Sequence, residues 1–126
     1  MRRHSLNTVK WLFIPALALV MPAATICWAK NKTTLSPAAE AGKKIFDQNC
    51  ALCHFPNQTS NKIGPGMQGV LKNKELPYSH RPATVANVQE QIEKGNPEGK
   101  PMPMPAFSGK LSKEQISDLI EYLKTL

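Results

Sequence analysis

The chain has 126 residues, a length that suits a single domain, and it contains no repeat of the kind that builds a solenoid. Its net charge is +7, and its basic residues are scattered or paired rather than clustered among aromatic residues, which argues against nucleic-acid binding. With three cysteines it also lacks the pattern of a secreted domain held together by disulfides.

The first 29 residues predict an export signal. Their Lys and Arg residues all lie within the first ten positions, at Arg2, Arg3 and Lys10. An uncharged apolar run follows over residues 11–28, and Ala29 permits cleavage directly after it. The run is just long enough to remain as an uncleaved membrane anchor, but two prolines interrupt it and favour cleavage.

The rest of the chain is therefore expected outside the cytoplasm, in the periplasm or an equivalent compartment, and on a membrane only if the anchor is retained. Residues 30–36 predict a short flexible lead, and residues 37–126 predict the folded domain. The residues after position 29 carry a net charge of +4. This charge suits docking to acidic patches on partner proteins, although ordinary solubilising charge explains it equally well.

The first predicted helix begins at Ser36 and Pro37, a pair typical of an N-cap followed by the first helical residue. It should run to about Ala51. Its expected buried stripe contains Ala41, Ile45, Phe46 and Asn49. Gly42 also lies within it, and a glycine inside a helix costs about 1 kcal/mol relative to alanine. A close crossing of another helix is the expected reason for that glycine.

Cys50, Cys53 and His54 belong to the segment Cys-Ala-Leu-Cys-His, which matches the motif for covalent haem attachment. Two sulfurs at this spacing can form thioethers with the two vinyl groups on one edge of a porphyrin, and the adjacent histidine can then bind the iron. A redox dithiol would be expected within a thioredoxin-like βαβ pattern, and a zinc site needs a second pair of ligands. Neither feature is present in the sequence.

Low-spin haem iron needs a second axial ligand. The candidates are Met67, His80, Met102 and Met104. Met102 and Met104 lie in the segment 96–105, whose four prolines exclude a helix interior or a central strand. Alternating prolines stiffen a chain in an extended form, which lowers the entropy cost of holding a weak thioether on iron.

Two further helices are predicted. One opens at residues 82–84 and ends at Gly95, with Val85, Val88 and Ile92 on one face. The last begins at Ser112, where Gln115 completes a capping box, and its apolar residues follow a helical spacing: Ile116, Leu119, Ile120 and Leu123. Val70 and Leu71 predict a short helical turn. Since no segment shows sustained strand alternation, the expected fold class is all-α with long loops.

The order and spacing of these features resemble the class I monohaem cytochromes c of the periplasmic bacterial type over residues 38–126. The segments that carry the resemblance are 42–46, 50–54, 64–65, 104–107 and 121–126. The resemblance implies the cytochrome c fold, in which three main helices and long loops wrap around one covalently bound haem. It also implies that Gly42 and Phe46 cross the last helix near Tyr122.

The same resemblance implies which residues bind the haem and its iron. They are Cys50, Cys53, His54, Met104 and Pro65. His54 and Met104 would be the axial ligands, because family members have a Met-Pro-x-Phe segment where Met104 stands. The carbonyl of Pro65 would accept a hydrogen bond from the other imidazole nitrogen of His54. Met102, as a second nearby methionine, departs from the usual pattern.

The predicted function is that of a monomeric single-electron carrier, not an enzyme, which shuttles electrons between respiratory complexes outside the cytoplasm. Its expected partners are redox proteins. With both axial positions filled, neither substrate nor oxygen can reach the iron directly. Two alternatives remain: a haem peroxidase or sensor with a labile sixth ligand, and a haem subunit docked permanently on a larger oxidoreductase.

Overall fold

Three α-helices and one short 3-10 turn make up the helical structure of residues 34–126, the part of the chain that the computed structural model describes. They are α1 (Pro37–Asn49), the 3-10 turn (Val70–Lys72), α2 (Val85–Lys94) and α3 (Lys113–Leu123). The all-α fold class is confirmed, since these residues contain no named strand and only isolated bridges. The predicted export signal and most of the predicted lead lie outside the described residues.

Each helix begins at a hydroxyl side chain that caps it. The N-cap residues are Ser36, Thr84 and Ser112. Each hydroxyl accepts a hydrogen bond of 3.2 Å from the backbone N–H three residues later, and such a cap is worth about 1 kcal/mol. The side-chain oxygen of Gln115 accepts in return from the N–H of Ser112 at 2.9 Å, which confirms the predicted capping box.

The buried faces of α1 and α2 differ in part from the prediction. The buried residues of α1 are Ala39, Gly42, Ile45 and Phe46, so its buried face is centred on Gly42. Ala41 is only half-buried and Asn49 is exposed, because α3 crosses α1 at the glycine. Val85 is 41% exposed since it is the first residue of α2, whereas Val88 and Ile92 are buried as expected.

The backbones of α1 and α3 cross at close range. A Cβ atom on Gly42 would overlap the backbone carbonyl of Asp118, so only glycine lets the two backbones come this close. Beside the crossing, the rings of Phe46 and Tyr122 pack edge to face, with centroids 5.5 Å apart and planes at 64°. The contact between these two residues is the one that the family resemblance implies.

The loops and the 3-10 turn contribute more buried side chains to the core than α2 does. Four buried side chains come from loops or the 3-10 turn: Val70, Leu76, Ala83 and Phe107. They join Val88 and Ile92 of α2 and the apolar face of α3 in one cluster. Within residues 34–126, no helix is both long enough and apolar enough to cross a membrane.

We predict that Gly42→Ala destabilises the protein by about 1–2 kcal/mol. The added methyl group forces α1 and α3 apart, which costs more than the gain of about 1 kcal/mol in helix propensity. Denaturant unfolding of the purified protein measures the change. Gln48→Ala, an exposed substitution on the same helix, should stay within about 0.5 kcal/mol of the parent. Equal stability of the two variants would contradict a role for the close crossing.

Candidate haem site

The motif from Cys50 to His54 lies on a tight turn that continues α1. The N–H of Cys50 donates to the carbonyl of Phe46 at 2.8 Å, as in a last helical turn. The carbonyl of Cys50 then accepts from the N–H groups of Cys53 at 3.0 Å and His54 at 2.9 Å. Two thiols and an imidazole are thereby carried by one hydrogen-bonded turn, and all three line the same cavity.

The thiol of Cys50 differs from the attacking thiol of a redox dithiol. Cys50 and Cys53 are not joined by a disulfide, and both are half-buried. Burial, with a smaller effect of Cys53, raises the pKa of Cys50 to about 11, whereas thiol–disulfide exchange needs a lowered thiol pKa. Nor does any group of three or more His, Cys, Asp or Glu residues within positions 34–126 have the arrangement of a metal site.

The imidazole of His54 is oriented by the backbone of Pro65. Its Nδ1 atom lies 2.8 Å from the carbonyl oxygen of Pro65. Because a carbonyl can only accept a hydrogen bond, Nδ1 carries the proton in this contact, and Nε2 keeps a lone pair. The contact thus selects the tautomer and ring orientation that a metal-binding histidine needs.

The loop before Pro65 is fastened to the motif turn. The N–H of Gly64 donates to the carbonyl of Cys53 at 2.8 Å, and the ammonium group of Lys62 donates to the carbonyl of Ala51 at 2.7 Å. A Cβ atom on Gly64 would overlap the ring of His54. Glycine at this position therefore allows the loop to lie directly against the imidazole.

A cavity adjoins the motif turn. Much of its wall is apolar, with contributions from Ile63, Pro65 and Phe107. Met102 and Met104 line it as well. The structure therefore brings all five sequence-predicted haem-binding residues, together with Met102, around one cavity.

The four candidate axial ligands occupy different environments. Met104 is half-buried against the core, whereas Met102 is 58% exposed, and both border the cavity. Met67 packs against the core and is not part of the cavity wall. The side chain of His80 is 81% exposed, with Nδ1 3.4 Å from a carboxylate oxygen of Glu75. Of the four candidates, Met102 and Met104 border the cavity and Met67 and His80 do not. Their positions therefore favour the two loop methionines as axial ligands.

An adjoining polar cavity contains a residue that the sequence did not single out. It is lined by Tyr78, Ser79, Asn96, Glu98 and Lys100. The hydroxyl of Ser79 is buried and has no hydrogen-bond partner among the described residues. A haem carries two carboxylates, and a hydroxyl and an ammonium group are suitable donors to them. Thiols, imidazole, thioether, apolar wall and polar margin together fit a covalently bound haem. A serine in a polar loop gives no local sequence signal that its hydroxyl lines a cavity.

The loop that carries Tyr78 and Ser79 is held on α2 by Arg81. Its guanidinium group donates to the side-chain oxygen of Asn87 at 2.7 Å and to the carboxylate of Glu90. Hydrogen bonds from Lys94 and Arg81 lower the pKa of Glu90 to about 2. Since this pKa is depressed, the stabilisation is complete above the ordinary carboxyl pKa and is lost only as the pH falls towards 2.

The sequence of this chain is similar to the sequences of known proteins. A family model described as cytochrome c matches residues 39–126. A cytochrome c-553-like protein of Synechocystis is 34% identical over 88 residues, which cover 70% of this chain and 69% of that protein. A cytochrome c6 of Synechocystis is 34% identical over 93 residues, 74% of this chain and 69% of the relative. The subunit FixP of a cbb3-type cytochrome c oxidase from Azorhizobium caulinodans is 33% identical over 101 residues, 77% of this chain but 32% of that protein.

We predict that Gly64→Ala shifts the reduction potential of the haem upwards. The added methyl group displaces the ring of His54 and weakens its hydrogen bond to Pro65, which makes the imidazole a poorer donor to the metal. Only the part of the bond energy that differs between the oxidised and reduced haem shifts the potential, so a bond worth about 0.5–1.5 kcal/mol gives a shift of at most about 60 mV in a redox titration.

Gly69→Ala is the matched control for this substitution. Gly69 has φ +69°, so alanine strains the backbone there, but no atom lies within 4 Å of the added methyl group. The reduction potential of Gly69→Ala should equal that of the parent. Equal potentials in Gly64→Ala and Gly69→Ala would show that the contact with His54 does not tune the site.

Proposed function

This chain belongs to the class I cytochrome c family, and we propose that it shuttles single electrons between respiratory complexes outside the cytoplasm, with iron bound by His54 and Met104. One covalently bound haem c is its cofactor, and the chain is an electron carrier. When bound, the haem supplies an iron that alternates between Fe(II) and Fe(III).

We assign the attachment of the haem to Cys50 and Cys53, and the first axial position to His54. Both sulfurs line the cavity from one turn, and that turn is hydrogen-bonded to the end of α1. Because the Pro65 carbonyl holds the Nδ1 proton, Nε2 of His54 is the nitrogen available to iron.

The observation that carries this proposal is the shared cavity wall of His54, the two cysteines and Met104. Met102 shares that wall, but its side chain is largely exposed, whereas Met104 packs against the core. A half-buried thioether loses less conformational freedom when it binds iron than an exposed one does. We therefore propose Met104 as the sixth ligand in preference to Met102.

Two protein ligands favour a carrier over an enzyme. With His54 and Met104 both bound, the iron offers no open position to a peroxide or a gas. The apolar wall of the cavity also keeps water from the site, so little rearrangement accompanies a change of charge. A peroxidase or sensor would instead require the Met104 side to open, and the packing of Met104 against the core opposes this.

The proposed partners are redox proteins with acidic docking patches. Lys100 lines the cavity, and Lys62 caps the motif turn while its ammonium group lies 5.3 Å from the centre of the Phe55 ring. Leu52, between the two cysteines, is 75% exposed. Cations beside an exposed apolar side chain suit brief docking of the monomer to such a partner. The opposite charges then steer the approach of the two proteins.

A second candidate function is supported by the likeness to FixP. That protein is named as an oxidase subunit, and this chain matches about a third of its length. A domain of this kind can therefore form part of a larger oxidoreductase. The proposed export signal, residues 1–29, would tether the domain if it stayed uncleaved.

We predict that Met104→Ala removes the methionine–iron absorption band of the oxidised protein. Loss of the thioether should also produce a high-spin form that binds carbon monoxide when reduced, and it should lower the reduction potential. A redox-titrated visible spectrum reports these properties together. Met102→Ala is the matched control in the same loop, and it should keep the band. Loss of the band in Met102→Ala alone would overturn the assignment of Met104.

We further predict that the mature protein begins near Lys30 and is found free in the periplasmic or equivalent fraction. N-terminal sequencing and fractionation of the expressing cells provide the measurement. A retained N-terminus, with the haem protein copurifying with one membrane oxidoreductase, would instead support the docked-subunit function.

A further inference from the structure

The backbone of Met104 is held by a reciprocal pair of hydrogen bonds to Asn96. The N–H of Met104 donates to the carbonyl of Asn96 at 3.0 Å, and the N–H of Asn96 donates to the carbonyl of Met104 at 2.9 Å. The two residues thus form an isolated antiparallel bridge. Among residues 34–126, no backbone hydrogen bond joins Met102 to any partner. The two methionines of the cavity therefore differ in how firmly their backbones are fastened.

Gly95 makes this bridge possible directly after α2. It ends the helix with φ +73° and ψ −167°, a combination open mainly to glycine, and its N–H donates to the carbonyl of Gln91 at 2.8 Å. A Cβ atom at this position would overlap the carbonyl oxygen of Met104 and lie 2.8 Å from the backbone of Ala106. The absence of a side chain therefore lets the methionine segment pass against the end of α2.

The same helix end holds the chain on the far side of Met104. The N–H of Phe107 donates to the carbonyl of Ile92 at 3.0 Å, and the N–H of Ser108 donates to the carbonyl of Glu93 at 3.1 Å. Both carbonyls belong to the last turn of α2. Met104 is consequently fastened at its own backbone and again three residues later.

We infer that Gly95 and Asn96 are positioning residues that clamp the backbone of Met104 and so determine how strongly its sulfur binds iron. This inference rests on the proposed assignment of Met104 as the sixth ligand. A thioether is a weak ligand, so its occupancy depends on how little freedom the chain loses when the bond forms. The clamp restricts the backbone of Met104 before the bond between sulfur and iron forms. It does not hold the backbone of Met102.

The test is Gly95→Ala in the full-length, haem-loaded protein. At rising pH, hydroxide and deprotonated amines compete for ferric iron, so the pH at which the methionine–iron band disappears reports how firmly the sulfur is held. A tenfold weaker bond lowers that midpoint by about one pH unit, and we expect a decrease of at least this size. The denaturant midpoint is recorded on the same samples.

Gly109→Ala provides the control for backbone strain. Gly109 has φ +82°, and no atom lies within 4 Å of a Cβ added there. This variant should lose stability to denaturant while keeping the pH midpoint of the parent. A pH midpoint that is unchanged in Gly95→Ala, or lowered equally in Gly109→Ala, would overturn the clamp.

A second variant covers the case in which Gly95→Ala yields no haem-loaded protein. The side-chain oxygen of Asn96 accepts from the N–H of Glu98 at 3.2 Å, which closes the turn after the clamp. Asn96→Pro removes the N–H that donates to the carbonyl of Met104, so it should lower the pH midpoint in the same direction. Asn96→Ala is the matched control, because it removes only the side chain and keeps both hydrogen bonds of the bridge, and its midpoint should stay closer to that of the parent. An unchanged midpoint in Asn96→Pro would then overturn the inference.

Failure of the proposed function gives a different pattern of results. If the parent lacks a methionine–iron band, or if Met104→Ala keeps it, then the assignment of Met104 is wrong. If the band depends on Met104 but not on Gly95 or Asn96, only the clamp is wrong.

Discussion

The contact between the backbones of α1 and α3 at Gly42 is the constraint on which the rest of the structure depends. Because no side chain separates the two helices there, Phe46 can pack against Tyr122 one turn later. The next residues of α1 lead straight into the Cys50–His54 turn through hydrogen bonds to Phe46. The close helix crossing therefore fixes the position of the proposed haem-attachment motif.

Loops rather than helices complete the site, and each is fastened by hydrogen bonds. The loop containing Gly64 and Pro65 bonds to Cys53 and His54, and the segment containing Met104 bonds to Asn96. Arg81 holds a third loop on α2 through Asn87 and Glu90. Long loops order only when they have something to pack against, and here they share a core with the helices and border a common cavity.

Glycine has two distinct uses at the site. Gly64 has no side chain because the ring of His54 occupies the space where one would stand. Gly95 needs its positive φ and also faces the carbonyl of Met104. Each glycine lies beside a proposed axial ligand, one on either loop, so close backbone approach is the common means by which this chain positions both ligands.

The sequence by itself determined the local features: the helix caps at Ser36 and Ser112, the apolar face of α3, and the haem-attachment motif. Each depends on residues within a few positions of one another, so the pattern carries the information. Only the tertiary structure decided that Gly42 rather than Ala41 centres the buried face of α1. It also distinguished the surroundings of Met104 from those of Met102 and placed Ser79 beside the cavity. Those outcomes depend on contacts between distant segments, such as the bridge from Asn96 to Met104, for which no local pattern exists.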